Sequence, residues 1–231
     1  MNLLFICIFL SLSCCKCNFN RAERSEVVFI TGCSSGIGLA TSLYLANHPS
    51  KVFKVYASMR NTDYWKGKGQ YHDRNSLETI ECDVTSSDSV NKAIDYIIKK
   101  EGSISIIINN AGYGISGCLE QVTIDEAQKL FDVNVWGAVR VLQAALPHMR
   151  KAHKGYIINI SSTSGIRGIP CFEYYTSSKF ALEGFTDSMR YSLAHFNISV
   201  TNLNAGPITT QFTERFGNTE KGGKGTKTLE G

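Results

Sequence analysis

The sequence lacks an apolar run long enough for a confident membrane span, any metal-ligand spacing and any concentrated block of charge. The apolar stretch from Leu3 to Leu12 fades through Ser13-Cys14-Cys15, short of the roughly 20 residues that cross a bilayer. The chain holds eight cysteines but no CxxC or Cys/His pattern. Cys7, Cys14, Cys15 and Cys17 crowd the first segment, while Cys33, Cys82, Cys118 and Cys171 are dispersed. Reduced thiols and no metal site are therefore expected. Twenty-four Lys and Arg against 20 Asp and Glu leave a net charge of +4. The basic residues are not interleaved with aromatics, so a nucleic-acid partner would rest on that weak charge alone.

What is present suits one domain with a substantial core: 231 residues, 43% of them hydrophobic. Residues 1–25 read as an apolar leader or anchor, 26–216 as the folded domain and 217–231 as a Gly- and Lys-rich disordered tail. The leader has the length of a signal-peptide core, but no basic residues precede it and Ser11/Ser13 make a weak cleavage site. Lys16, Arg21 and Arg24 follow it instead, which favours membrane association through the N-terminus with the domain facing the cytosol. The alternative is a cytoplasmic protein with a leader of no role.

Val27-Val28-Phe29-Ile30 has the pattern of a strand buried on both faces. It runs into Thr31-Gly32-Cys33-Ser34-Ser35-Gly36-Ile37-Gly38 and then a helical stretch from Leu39 to Asn47. Strand, glycine turn and helix together make a phosphate cradle, with Gly32, Ser34, Ser35, Gly36, Ile37 and Gly38 beside the free N–H groups of a helix start. A second strand, Lys51 to Ser58, ends at Met59-Arg60 without the acid that would accept the ribose hydroxyls of NAD. Arg60 suits a 2′-phosphate, so NADP(H) is expected and NAD(H) is the lesser alternative.

Ile80-Glu81-Cys82-Asp83-Val84 closes a third strand, where Asp83, Thr85 or Ser87 could also cap the next helix. That helix carries a core stripe of Val90, Ala93, Ile94, Ile97 and Ile98. A fourth strand, Ile104 to Ile108, ends in Asn109-Asn110-Ala111-Gly112. One long helix is expected from Ile124 to Arg150, with Asn134 inside it. Ile198 to Leu203 alternates like a sixth strand.

The fifth strand leads to the chemistry. Tyr156-Ile157-Ile158-Asn159-Ile160 continues through Ser161-Ser162-Thr163-Ser164-Gly165 into a helix bearing Tyr175 and Lys179. Four positions apart, these two share one helix face. A lysine ammonium beside a phenol favours the phenolate and lowers its pKa toward neutrality, making Tyr175 a general acid/base. Ser162, at the strand end, can reach the same spot.

The segment Ser162 to Gly184 strongly resembles the active site of the short-chain dehydrogenase/reductase family. Further matches are the TGxxxGxG turn at Gly32, Gly36 and Gly38, the NNAG turn and Asn204-Ala205-Gly206-Pro207-Ile208-Thr209-Thr210, which resembles the family's PG loop with Ala205 in place of proline. The glycine turn, Met59-Arg60 and the residues after Tyr175 look closest to the 17-beta-hydroxysteroid and photoreceptor-type retinol dehydrogenase branch. The resemblance implies an α/β doubly wound Rossmann fold around a central parallel sheet, its C-terminal part shortened by a helix pair and a strand. It also implies hydride transfer between nicotinamide C4 and a carbonyl or alcohol carbon. Tyr175 would pass the proton, Ser162 polarise the substrate oxygen, Lys179 serve both the tyrosine and the nicotinamide ribose, and Asn134 hold a relay water. Asp83 and Val84 would meet the adenine, while Asn110, Ala111, Gly112, Gly206, Pro207, Ile208 and Thr210 would border the cofactor.

The expected substrate is a hydrophobic steroid- or retinoid-like molecule, lined by Tyr113, Ile115, Ile166, Ile169, Phe172, Phe212 and Phe216. No basic cluster in those loops suggests an anionic substrate. No nucleic acid is expected, and a homodimer is compatible with the family. The rival reading is a cofactor-binding protein without turnover, lacking a complete substrate lobe.

Overall fold

Apolar runs too short for helices become parallel strands because each can bury both faces between helical layers. The computed structural model describes residues 25–65 and 76–207. Six strands, β1 (Glu26–Ile30), β2 (Phe53–Met59), β3 (Leu77–Glu81), β4 (Ile106–Asn109), β5 (Gly155–Ser162) and β6 (Ile198–Ala205), form one sheet in the order β3-β2-β1-β4-β5-β6. Every pairing is parallel, with Val28 opposite Val55 on one side and Ile106 on the other. The doubly wound Rossmann expectation therefore holds. After β3 the chain crosses to the far side of β1, so the strand order reverses between β1 and β4, where such sheets open a ligand crevice.

Alternation along each strand sorts the core into two faces. Val27 and Phe29 of β1, with Tyr56, Ile107 and Ile157, meet α2 (Ser87–Glu101) through Val90, Ala93, Ile94 and Ile97, and α4 (Gly137–Ala152) through Val141, Leu142, Ala145 and Met149. Val28 and Ile30, with Val55, Ala57, Ile106 and Ile108, meet Leu45 and Ala46 of α1 (Gly36–Ala46). Each fully buried aliphatic side chain contributes about 1.5–3 kcal/mol. The remaining helices are α3 (Ile124–Phe131) and α5 (Glu173–Ala194).

Local signals set the helix ends. α2 starts at Ser86, whose side chain accepts from the Ser89 N–H, and stops at Gly102 in the left-handed region (φ 79°). The cap is thus Ser86, not Asp83, Thr85 or Ser87, because Asp83 is engaged in the turn before it. α3 opens with a full capping box between Thr123 and Glu126. The single helix expected from Ile124 to Arg150 is interrupted by a π-helical turn at Asp132–Trp136. Such turns often mark functional positions, and this one carries the buried Asn134.

No described helix is long and apolar enough to cross a membrane. The leader, Ile208, Thr210, Phe212, Phe216 and the Gly- and Lys-rich tail lie outside the described residues.

Candidate active site

The carboxyl ends of the strands open into a cleft of about 1340 Å³. One wall is the turn from β1 into α1. Gly32 holds φ 72°, and a Cβ there would lie 2.8 Å from the Ala111 Cα. A Cβ on Gly38 would fall 2.5 Å from both the Gly32 carbonyl oxygen and the Asn110 amide nitrogen. No other residue fits either position. α1 therefore starts with its backbone N–H groups bare at the cleft, since Ser35 makes no side-chain cap. A turn that admits no side chain at Gly32 or Gly38, at a helix start, fits a pyrophosphate, and the residues present suit a dinucleotide.

Thr31 joins this wall to the next. Its buried hydroxyl accepts the N–H groups of Asn110 and Ala111, each at 3.0 Å. The Asn110 amide in turn donates to the carbonyls of Thr31 (2.8 Å) and Gly32 (3.1 Å). The NNAG turn is thus the partner that holds the glycine turn open. Deeper in the sheet, Asn109 donates to the Asn159 side chain, which donates to Thr186 of α5, each at 2.8 Å.

At the adenine end, Arg60 is exposed and follows β2, lining the cleft with Asp83 and Val84. Burial alone would raise the Asp83 pKa. Two hydrogen bonds from Thr85 and the charges of Arg60 and Arg140 outweigh it and hold the carboxyl below the ordinary carboxylate range. Asp83 Oδ1 accepts from both the Thr85 N–H (2.9 Å) and hydroxyl (2.8 Å), so it builds the turn as well as facing the cleft.

Ser162, Tyr175 and Lys179 converge at the other end. Ser162 is the last residue of β5 and accepts the Ser164 N–H at 3.1 Å. Tyr175 and Lys179 sit one turn apart on α5, 7% and 6% exposed, with the lysine Nζ 5.7 Å from the phenol ring centroid. That Nζ donates to the Ile160 carbonyl at 2.9 Å. Protonation runs opposite to the sequence expectation. Burial raises the Tyr175 pKa above its ordinary value, with a hydrogen bond from Ser162 pulling it back. Burial also lowers Lys179 to about 8, partly opposed by the Glu183 carboxylate. Desolvation penalises both charged forms here, and it exceeds the mutual attraction that spacing alone suggested.

Asn134 does not line the cleft; it braces it from behind. Its Oδ1 accepts the Tyr113 N–H at 3.0 Å, and its amide donates to the Tyr113 carbonyl (2.9 Å) and the Ser178 hydroxyl (3.1 Å). Asn110, Ala111, Gly112, Gly206 and Pro207 all line the cleft. Among the expected substrate-lining residues, Tyr113, Ile169 and Phe172 are there. Ile166 points to solvent at 62% exposure, and Ile115 is not part of the lining.

Sequence reading missed Thr31, the Asn109–Asn159–Thr186 line and two exposed cations, Lys129 and Arg167, that also border the cleft. The one local signal was an amide interrupting the apolar run at Asn159. Among the described residues, no cluster of His, Cys, Asp or Glu could hold a metal.

Comparison with known proteins agrees with this geometry. The short chain dehydrogenase family model matches residues 26–221. The chain is 37% identical over 199 residues to retinol dehydrogenase 8 of Bos taurus, covering 83% of this chain and 62% of that protein. It is 40% identical over 197 residues to human 17-beta-hydroxysteroid dehydrogenase type 1, covering 82% and 58% respectively. The chain thus spans about three fifths of the length of these relatives. Among solved structures, ElxO with NADP bound superposes with a TM-score of 0.75 at 27% identity, covering 85% of this chain and 79% of that one. NAD+-bound xylitol dehydrogenase superposes at 0.72 with 30% identity, covering 79% and 70%.

Proposed function

The chain belongs to the short-chain dehydrogenase family, and from that premise we propose that it is an NADP(H)-dependent oxidoreductase interconverting a carbonyl and an alcohol on a hydrophobic, steroid- or retinoid-like substrate. The observation that carries this reading is the convergence of Ser162, Tyr175 and Lys179 in the same cleft as the glycine cradle. A bound nicotinamide supplies or accepts the hydride. The chain's own residues supply position and the proton.

The cradle from Gly32 to Gly38 would hold the pyrophosphate, Asp83 and Val84 would border the adenine, and Asn110 to Gly112 with Gly206 and Pro207 would flank the remaining length. Arg60, following a β2 that ends without an acid, favours a 2′-phosphate. Ser162 donates to the substrate oxygen and holds it against Tyr175. With its pKa raised by burial, Tyr175 rests as the neutral phenol, the form that gives a proton to a developing alkoxide. Lys179, near pKa 8, readily exchanges its proton near neutrality and steadies the phenolate left behind. Asn134 fixes the Tyr113 backbone and α5 relative to each other.

The hydrophobic substrate is supported by Tyr113, Ile169 and Phe172 around the reacting end, and by the steroid and retinol names of the two relatives. The apolar stretch Leu3–Leu12 is read as a membrane anchor that would bring the domain to a lipid-borne substrate.

The test is NADPH consumption by the purified chain against matched steroid, retinal, sugar and acyl-thioester substrates. Faster turnover of the sugars or thioesters refutes the substrate class. Tight cofactor binding with no turnover of any of them returns the reading to a binding protein.

A further inference from the structure

Two loops frame the reacting end of the cleft. One follows β4 and carries Tyr113; the other precedes α5 and carries Ile169 and Phe172. At their meeting point, Cys118 Sγ and Cys171 Sγ lie 2.7 Å apart, although the residues are 53 positions apart in sequence. The backbone is pinned there too. The Gly117 N–H donates to the Cys171 carbonyl at 2.8 Å, and the Cys171 N–H donates to Glu173 Oε1 at 3.1 Å. Cys171 itself holds φ 59°, a left-handed conformation that costs a residue with a Cβ about 1 kcal/mol or more and persists only where surroundings impose it.

Both thiols are half-buried and reachable. The other two described cysteines differ: Cys33 and Cys82 are buried, at 0% and 3% exposure, and burial pushes their pKa up to about 12 and about 11. Among the described residues, the only sulfur pair in contact is therefore also the one open to reagents.

We propose that Cys118 and Cys171 are a redox modification site, oxidised to a disulfide that staples the loop after β4 to the loop before α5. A disulfide needs the sulfurs at about 2.05 Å, an approach of about 0.7 Å from the contact present. The oxidant is a small-molecule disulfide of the glutathione type. One protein thiolate attacks it and forms a mixed disulfide, releasing one small thiol. The second protein thiolate then attacks the protein-bound sulfur and releases the other. Two protein thiols are oxidised, one disulfide is reduced to two thiols, and the protein's two protons pass to the released thiols.

The rate is modest near neutrality. The hydrogen bond with Cys171, then desolvation and the carboxylates of Glu120 and Glu173, push Cys118 up to about 11, and only the thiolate attacks. Once formed, the link fixes Cys171, the neighbour of Phe172, against the Gly117 backbone, four residues ahead of Tyr175.

The experiment uses the full chain, reduced and then equilibrated with oxidised glutathione at mildly alkaline pH. Alkylation, digestion and mass spectrometry follow, with a parallel melting curve. The expected result is one joined peptide pair containing Cys118 and Cys171. It is accompanied by a rise in Tm of about 5 °C or more, in keeping with closing a long loop. Dithiothreitol reverses the rise, and C118S and C171S each lack it. Independent alkylation or glutathionylation of the two cysteines, or pairing of either with Cys7, Cys14, Cys15 or Cys17, overturns the proposal. Neither readout needs turnover, so the outcome is separate from that of the proposed activity.

Discussion

Replacing Lys179 with methionine is expected to make the protein more stable while removing its chemistry. The ammonium is 6% exposed and its pKa falls from the ordinary 10.5 to about 8. A gap of about 2.5 pH units amounts to about 3 kcal/mol of unfavourable burial at pH 7. Methionine keeps most of the side-chain volume without the charge, but loses the hydrogen bond to the Ile160 carbonyl, worth about 1.5 kcal/mol. The variant should therefore gain about 2 kcal/mol at pH 7. The pH dependence follows from the direction of the shift. Below about pH 8 both folded and unfolded states hold the proton, and the full penalty applies. Between about 8 and 10.5 the unfolded state binds more protons than the folded one, so wild-type stability rises with pH through that window. By about pH 9.5 only about 1 kcal/mol of the penalty is left, which the hydrogen bond offsets. Urea unfolding of both proteins across this range reads the difference directly, since all other titrations cancel. A variant less stable than wild type at pH 7, or an advantage that does not shrink above pH 8, refutes the assignment of a charged, desolvated lysine.

Tyr175→Phe should remove nearly all turnover while leaving the cofactor dissociation constant within about twofold, because only the proton-transfer hydroxyl is lost; substantial residual activity would show the acid/base to be elsewhere. Arg60→Ala should erase a preference for NADP(H) over NAD(H), measured as the ratio of the two dissociation constants, and an unchanged ratio would sink its role. Gly38→Ala drives a methyl into the Gly32 carbonyl and the Asn110 amide, so it should cost about 2 kcal/mol and cofactor binding; a variant as stable as wild type that still binds dinucleotide contradicts the tight cradle. Removing the residues before Arg21 should move the protein from the membrane to the soluble fraction without lowering its Tm, whereas a full-length chain already soluble at low salt ends the anchor reading.

The parts legible in the sequence are those carried by local pattern. Val27–Ile30 and Ile106–Ile108 announce strands because a parallel strand buried on both faces favours a near-continuous apolar run. The Tyr175 and Lys179 pairing follows from helical spacing alone. What stayed hidden is set by distant packing. The spacing of Tyr175 and Lys179 fixes their proximity but not their burial, and burial raises the Tyr175 pKa that the spacing was expected to lower, while lowering that of Lys179. Asn109 and Asn159 are neighbours only because β4 and β5 pair in that register. The π-helical turn around Asn134 depends on what its amide meets across the chain, the Tyr113 backbone and Ser178. Ile166 was misplaced because hydrophobicity does not say which way a loop residue points. Ser86, inconspicuous among Thr85 and Ser87, caps α2 because Asp83 is already committed to Thr85.

The Thr31 hydroxyl has a bearing on how the chain folds as it is made. Its two N–H partners come from residues 79 and 80 positions downstream. A nascent chain therefore exposes the glycine turn to solvent well before the strand that completes it leaves the ribosome. Contacts of such long sequence separation form late because chain closure must precede them. Dinucleotide affinity should accordingly arrive in one step, when β4 docks beside β1. From then on, any ligand that binds only the docked form adds to its stability in proportion to the logarithm of its concentration. Cellular dinucleotide would then act on the final stage of folding, selecting chains in which both halves have met.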